Sequence, residues 1–423
     1  MHNRMQFIWV ILMGLIILVD PLVYNRLGQL LQFNTWLYPL IYWLIPVGLL
    51  IWFFLILHLY SFHDRNPSVQ NKYFQFFGVF ILFYIPKLFF MAPTLLEWLI
   101  NEAIDRISMY EIEIQILSQI SGIFAAGMFL LIFYGIVYGR FHFKKERLVL
   151  NHEDLPESFD GLRIVQISDI HIGSWRGHEK KMQRAIELIN QEKPDLIVFT
   201  GDLFNNFYEE ILGFRKILKQ LKAPLGKFAV LGNHDYGDYF HWPSQAEYQK
   251  NFQQVKSAYG EAGFHLLLNE GMILSRGEEY IGLAGVENWG LPPFHQYGDL
   301  TRAISRLHNT AFNILLSHDP SHWREQVLKN GKVQLTLSGH THGMQFGIYT
   351  AGLRWSPSKA KYPEWGGLYR EGSRYLYVNK GLGYIGFPGR VGIRPEITLI
   401  TLKKEGTGRS PLLPNRWKSY DTL

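Results

Sequence analysis

Arg163-Ile164-Val165-Gln166-Ile167-Ser168-Asp169-Ile170-His171 is the stretch on which the fold turns. A short β-branched run that stops in Ser-Asp-x-His reads as a buried strand delivering polar side chains at its C-terminal end. Working outward, residues 178–192 have helical spacing, with Met182, Ile186 and Ile189 on one face. A second buried strand over 195–200 closes in Gly201-Asp202, and a helix is expected over 209–221. Strand 227–231 leads into Gly232-Asn233-His234-Asp235. Further strands fit 280–286, 312–316 and 334–337; the last two run into Ser317-His318-Asp319 and Gly339-His340-Thr341-His342. Strand, polar loop and helix in repetition argue for an α/β layered domain with function on the loops after the strands. The Gly- and aromatic-rich stretch 343–402 reads as more purely β.

Those strand ends deliver few residue types: Asp169 and His171, Asp202, Asn233 with His234 and Asp235, His318, then His340 and His342. Imidazole nitrogen and carboxylate oxygen together suit Mn, Fe or Zn. A carboxylate can bridge two such ions and hold them about 3.5–4 Å apart, where the pair clamps both oxygens of an in-line displacement at phosphorus. In Asp169-x-His171 and His340-x-His342 the alternating spacing points both side chains of a pair to one side of an extended segment. Gly201, Gly232 and Gly339 permit tight turns and a close approach of backbone to metal or phosphate. Taken singly, each motif is ordinary: Asp-x-His is mostly accidental, and Gly-Asp usually marks a turn. Their order, each at a strand end, removes chance.

The ordered set D-x-H, G-D, G-N-H-D, H and G-H-x-H on these residues resembles the calcineurin-like metallophosphoesterase superfamily over about residues 160–402. The closing segment is similar to that superfamily's membrane-associated bacterial branch. It runs from Gly381-Leu382-Gly383 through Pro388 and Arg390 to Arg394-Pro395-Glu396-Ile397-Thr398-Leu399-Ile400-Thr401-Leu402. The resemblance implies a four-layer αββα sandwich over 148–404 and two divalent metal ions as cofactors. Asp169, His171 and His342 would hold one ion, Asn233, His318 and His340 the other, and Asp202 would bridge them. A metal-bound hydroxide would attack phosphorus. His234 would protonate the leaving group or stabilise its charge, and Asp235 would orient His234. No covalent enzyme intermediate is implied. The activity implied is hydrolysis of a phosphodiester, pyrophosphate or phosphomonoester, on lipid-linked or nucleotide-sugar phosphates as in some members of that branch.

Composition bounds the rest. The 423-residue chain contains no cysteine, which excludes disulfide scaffolds, thiolate metal sites and Cys nucleophiles. A net charge of +6 suits acidic headgroups or phosphate substrates but is no nucleic-acid footprint, so nucleic acid is not the expected partner. The charge is spread over two unlike parts. Residues 1–147 are dominated by Phe, Leu, Ile, Trp and Tyr, and 148–423 have an ordinary globular mixture.

Apolar stretches at 6–24, 36–57, 73–96 and 114–139 each approach the roughly 20 residues that a membrane-spanning helix needs. The first is broken by Asp20-Pro21; it reads as a span rather than a cleaved leader, because no small-residue cleavage site follows it. The third carries Pro86, where a kink is expected, and Lys87. The last span is followed by Arg140, Lys144, Lys145 and Arg147, and the loop before the third holds Arg65 and Lys72. The loop before the fourth is acidic. The positive-inside rule then predicts an inner-membrane protein with both ends and the globular half in the cytoplasm. Asp20 and Lys87 are the charges that would mark a transporter or channel, but neither has an obvious partner in the sequence and the helices show no repeat. An anchor is the preferred reading. The alternative is a polytopic transporter or sensor whose soluble domain binds a phosphorylated ligand without turnover.

Tyr236, Tyr239, Phe240, His241 and Trp242 follow one motif, and Arg354, Trp355, Lys359, Lys361 and Tyr362 follow another. They form either a lipid-facing rim or ordinary loop packing with solvated charge; the second is the default. Arg176 and Arg390 are candidates to contact a substrate phosphate. The bilayer and a phosphorylated small molecule or lipid headgroup are the expected partners, and the sequence indicates no oligomeric state. The tail over 405–423 reads as flexible.

Overall fold

The computed structural model describes residues 2–32, 35–60, 65–103, 111–350 and 352–406. The expected tail lies outside them from residue 407, as do Asp105 and Arg106 of the acidic loop. The chain divides into two compact units, one helical and one built on β-sheets.

The helical unit holds α1 (His2–Leu31), α2 (Leu37–Leu59), α3 (Pro67–Ala103) and α4 (Glu111–Val137). Among the described residues, Leu37–Leu59, Pro67–Pro93 and Ile116–Phe141 are long and apolar enough to cross a bilayer, with mean hydropathies of 2.5, 1.8 and 2.2. The first stretch, 6–24, lies within α1. That helix runs unbroken through Asp20-Pro21, contrary to expectation, since membrane helices tolerate proline where neighbours satisfy the freed backbone. Inward-facing Ile16, Leu49, Phe53, Phe76, Phe80 and Tyr84 join α1, α2 and α3, while Leu40, Leu44, Ile123 and Leu130 stay exposed on the outside. This is the pattern of a bundle solvated by lipid.

The two intramembrane charges are not partnerless. Lys87 Nζ lies 2.5 Å from Asp20 Oδ1, Tyr42 donates to the same oxygen at 2.9 Å, and Tyr84 donates to Oδ2. The sequence could not show this, because the partners are 22 to 67 positions apart.

In the second unit the strands are β1 (Lys144–His152), β2 (Arg163–Ile167), β3 (Leu196–Phe199), β4 (Lys227–Ala229) and β5 (His265–Leu266). Then come β6 (Glu270–Arg276), β7 (Glu279–Gly285), β8 (Asn313–Leu316), β9 (Leu335–Ser338) and the short β10 (Ile348–Tyr349) and β11 (Arg354–Trp355). Last are β12 (Gly367–Glu371), β13 (Arg374–Val378) and β14 (Glu396–Lys404). One six-stranded sheet runs β1-β14-β2-β3-β4-β5 and the other β12-β13-β9-β8-β7-β6; β10 and β11 pair apart from both. Since β1 starts at Lys144 and pairs in register with β14, this unit takes in residues ahead of 148, from Tyr138 onward.

Alternation along the strands builds the layers. Ile164, Leu196 and Val198 pack against Leu283, Ile314 and Leu337 between the sheets. Their neighbours Val165, Ile197 and Phe199 face helices α5 (Glu179–Gln191) and, later in the chain, Gln245–Glu261. Leu315 and Val378 on the other sheet meet Leu300, Ala303 and Trp323. The result is the expected αββα order. The helix expected over 209–221 is instead two short turns, Tyr208–Ile211 and Arg215–Leu218, divided by Gly213 at φ +96°. The 17-residue helix Gln245–Glu261 had no clear apolar period to announce it.

Candidate metal centre

The parallel core strands β2, β3, β4, β8 and β9 end at one rim, which brings all the motif loops together. Asp169, His171 and His342 converge: His171 Nε2 is 3.1 Å from His342 Nε2, and His342 Nε2 is 3.2 Å from Asp169 Oδ1. Asp202, His318 and His340 form a second group. His318 Nε2 lies 3.2 Å from Asp202 Oδ2, and Asn233 Oδ1 lies 3.1 Å from His318 Nε2 and 2.8 Å from His340 Nδ1. Asp202 Oδ2 is also 3.6 Å from His171 Nε2, so it stands between the groups.

The backbone that achieves this is not extended. Asp169, His171, Asp202, His340 and His342 all have φ between +48° and +73°. Each left-handed non-glycine residue costs about 1–3 kcal/mol and persists only where its surroundings over-determine it. The extended segments expected for the two x-spaced pairs are thus tight left-handed turns instead; Asp169 and His171 still meet in one group, while His340 and His342 go to different groups. The glycines do serve close approach. A Cβ on Gly339 would sit 1.9 Å from Ser168 Oγ and 2.4 Å from Asp169 Oδ2, and one on Gly232 would sit 2.2 Å from Asp202 Oδ1.

Hydrogen bonding shows that the groups suit cations. His318 Nδ1 is 2.7 Å from the Thr200 carbonyl, an acceptor only, so Nδ1 carries a proton and Nε2, turned inward at Asp202, is the nitrogen that takes either a second proton or a cation. Asn233 Nδ2 donates to Tyr239 at 2.7 Å, which leaves its oxygen facing the histidines. Acceptors therefore crowd together. Burial opposes charge on His318, yet Asp202 beside it raises its pKa to about 10. The pocket calls for positive charge, and a divalent ion fits this nitrogen–oxygen donor set. Burial pushes Asp202 up, but His318, His234 and His171 hold it well below the carboxylate range. Burial similarly keeps His171 and His340 neutral, His340 at about 4.

His234 sits beside these groups, its ring 4.9 Å from that of His171 and stacked on Tyr239 at 4.3 Å. Its Nδ1 donates to the Asn205 carbonyl at 2.9 Å, which fixes the ring and leaves Nε2 as the nitrogen not engaged by that bond. Asp235 does not orient it, contrary to expectation. Its carboxylate turns into the protein and accepts from the backbone N–H groups of Asp202, Phe204 and Gly232 and from Tyr259. Burial raises the Asp235 pKa to about 7.

The sequence reading missed the role of several supporting residues: Tyr362 and Asp319, which it named without one, and Glu210, which it did not name. Tyr362 lies 2.8 Å from His340 Nε2 and 3.4 Å from Asp319 Oδ2. Glu210 accepts from the N–H groups of Gly173, Asn205, Asn206 and Phe207. Asp319 is next to a motif histidine, the one signal available; the rest come from distant segments. Arg390 is spent inside the fold: it donates to the carbonyls of Lys380 and Gly383 and lies 3.2 Å from His342 Nδ1, so no substrate phosphate is needed to explain it.

Residues 162–344 match the family model for the calcineurin-like phosphoesterase domain, and residues 4–140 match that for the transmembrane domain of a probable calcineurin-like phosphoesterase. An uncharacterized metallophosphoesterase of Bacillus subtilis, YkuE, is 38% identical over 255 residues, 59% of this chain and 82% of that protein. The chain belongs to the calcineurin-like metallophosphoesterases. A Danio rerio transmembrane protein with a metallophosphoesterase domain is 33% identical over 257 residues. That match takes 60% of this metallophosphoesterase and 55% of its relative, so the chain spans about half the fish protein's length. An uncharacterized metallophosphoesterase of Aquifex aeolicus is 28% identical over 62% of the chain and 92% of its own length. The transmembrane family match and the apolar helices make this metallophosphoesterase a membrane protein.

Proposed function

We propose that this metallophosphoesterase is a membrane-anchored hydrolase of phosphoric esters that works with two divalent ions of the Mn, Fe or Zn type. The observation that carries the reading is Asp202 Oδ2, set between two clusters of inward-turned acceptors. Asp169, His171 and His342 would hold one ion; Asn233, His318 and His340 the other, with Asp202 shared. The ions would supply Lewis-acid charge at phosphorus and acidify a water. The chain's own residues do the rest. Thr200 fixes the His318 tautomer and Tyr239 fixes the Asn233 amide. His234, once protonated on both nitrogens, keeps Nδ1–H on the Asn205 carbonyl and gives the Nε2 proton to the leaving oxygen, ending neutral; burial opposes the charged ring, which favours that release. The substrate is a phosphodiester, pyrophosphate or phosphomonoester carried by a lipid or a nucleotide sugar. The basic residues Arg140, Lys144, Lys145 and Arg147 after the last span support a cytoplasmic catalytic unit in an inner membrane.

The test is hydrolysis of an aryl phosphodiester and an aryl phosphomonoester by detergent-solubilised protein with Mn²⁺, Zn²⁺ or chelator, beside His234→Ala and Asp202→Asn. Metal-dependent turnover that both variants lose supports the enzyme. Tight binding of two ions without turnover on these or lipid-linked substrates would overturn it in favour of a ligand-binding sensor.

A further inference from the structure

The β10–β11 hairpin is inverted relative to the usual surface hairpin. Antiparallel pairing sets Ile348 opposite Trp355 and Tyr349 opposite Arg354, so each pair shares a face. The Tyr349–Arg354 face is the one that packs on the protein. The Tyr349 ring meets Trp365 at 5.7 Å, Lys380 Nζ stands 3.8 Å from its centre, and Arg354 lies 4.9 Å away. The outer face, which normally carries polar side chains, carries Ile348 at 45% exposure and Trp355 at 47%. Leu353 in the turn is 54% exposed and Met344, just before the hairpin, 59%. Elsewhere in this unit large exposed apolar residues are scattered, as on most surfaces; here four fall within twelve positions.

Charge selects the occupant. From Met344 to Tyr362 the chain has no Asp or Glu, but it has Arg354, Lys359 and Lys361, and both lysines are exposed. Lys144 Nζ also reaches 5.5 Å from the Tyr349 ring, but it is paired there with Glu146 at 2.6 Å, so the charge that selects the occupant is that of the three cations of 344–362. Tryptophan and leucine flanked by cations suit the headgroup boundary of an anionic leaflet, where the aromatic ring buries its apolar body and the basic groups meet lipid phosphate. A chain already anchored by apolar helices keeps this hairpin at high effective concentration beside a bilayer. The hairpin is also tied to the metal centre: seven residues after Trp355, Tyr362 contacts His340 Nε2.

We propose that β10–β11 is a bilayer-docking element that seats Met344, Ile348, Leu353 and Trp355 in the headgroup region of an anionic membrane. Resting on the hydrolase reading above, the docked hairpin admits a phosphate ester borne by a lipid to the metal centre.

Because the chain has no cysteine, Leu353→Cys provides a unique position for a polarity-sensitive fluorophore. The full chain would be placed in nanodiscs of phosphatidylcholine and phosphatidylglycerol, with the exposed Glu278→Cys as reference. Docking blue-shifts the label at 353 and lets a nitroxide lipid quench it, while the label at 278 stays water-like. A water-like, unquenched label at 353 overturns the proposal. So does a blue shift that lipid nitroxide does not quench and that depends on protein concentration, which would assign the face to a second copy of the chain. This readout needs no turnover, so it separates failure of docking from failure of the hydrolase reading. In the activity arm, Ile348→Glu with Leu353→Glu lowers hydrolysis of phosphatidic acid in the same nanodiscs by about tenfold, or 1.4 kcal/mol. Hydrolysis of a soluble aryl phosphate is unchanged. Equal loss on both substrates overturns the role in substrate admission.

Discussion

His234 takes its orientation from Asn205, whose carbonyl oxygen accepts from Nδ1 at 2.9 Å. Asn205 in turn is held by Glu210, which binds its N–H at 2.7 Å and those of Asn206 and Phe207 at 2.8 Å. A buried carboxylate therefore shapes the loop that aims His234. It does so without touching the metal groups.

Glu210→Gln should lower stability by about 1–3 kcal/mol, since an amide offers one acceptor oxygen where the carboxylate uses both. Burial raises the Glu210 pKa from 4.5 to about 7, against the four backbone N–H groups that favour charge. The folded state thus binds a proton that the unfolded state gives up first. The stability from this group is complete below about pH 4.5 and is lost as pH rises through 7. Thermal melts across that window should fall more steeply for the wild type than for the variant.

Gly232→Ala should dislodge Asp202, because the new Cβ would stand 2.2 Å from its Oδ1. Overpacking of this kind costs about 1–3 kcal/mol. The informative measurement is metal content after dialysis: at least one ion should be lost per chain from a protein that still melts cooperatively. Retention of both ions would mean that the loop gives way without moving the carboxylate.

Tyr362→Phe removes the hydroxyl between His340 Nε2 and Asp319. Loss of such outer support for a metal-binding imidazole typically weakens affinity or activity by about 10- to 100-fold. Calorimetric titration with Mn²⁺ or Zn²⁺ should show the loss at one of two sites, with the Asp169–His171–His342 group unaffected.

Asp20→Asn should destabilise the helical unit by about 3 kcal/mol or more, since it strands Lys87 among apolar helices. Pairing it with Lys87→Met should restore much of the loss. Denaturation of the detergent-solubilised chain, followed by loss of helix signal, would read both. Equal stability of all three proteins would show that the pair contributes nothing to the bundle.

Most of the sheet-built unit was legible because its signals are local. Ile164, Val165 and Ile167 had to be buried on both faces, and a buried strand that ends in Asp or His can only present it at the rim. The same logic holds for 195–202 and 227–235, so the donors now found in two groups could be named from order alone. Local pattern fails where the backbone departs from its default. The positive φ at Asp169, His171, His340 and His342 leaves no periodic trace, so the extended backbone that an alternation rule assumes there is not the one adopted. It also fails where a side chain has two neighbours to choose from, as Asp235 does between the adjacent His234 and the buried N–H groups it actually binds.

The sequence by itself determined the two-part plan, the αββα layering and the residue types that meet at the rim, because burial period and strand-end chemistry are properties of short segments. Tertiary structure alone decided how those residues are used. Lys87 found Asp20 across 67 positions, Tyr362 found His340, and Ile348 and Trp355 came to share an outward face. Such pairings depend on which segments are brought side by side, and a hydrogen bond or an ion pair is read only once that distance is set.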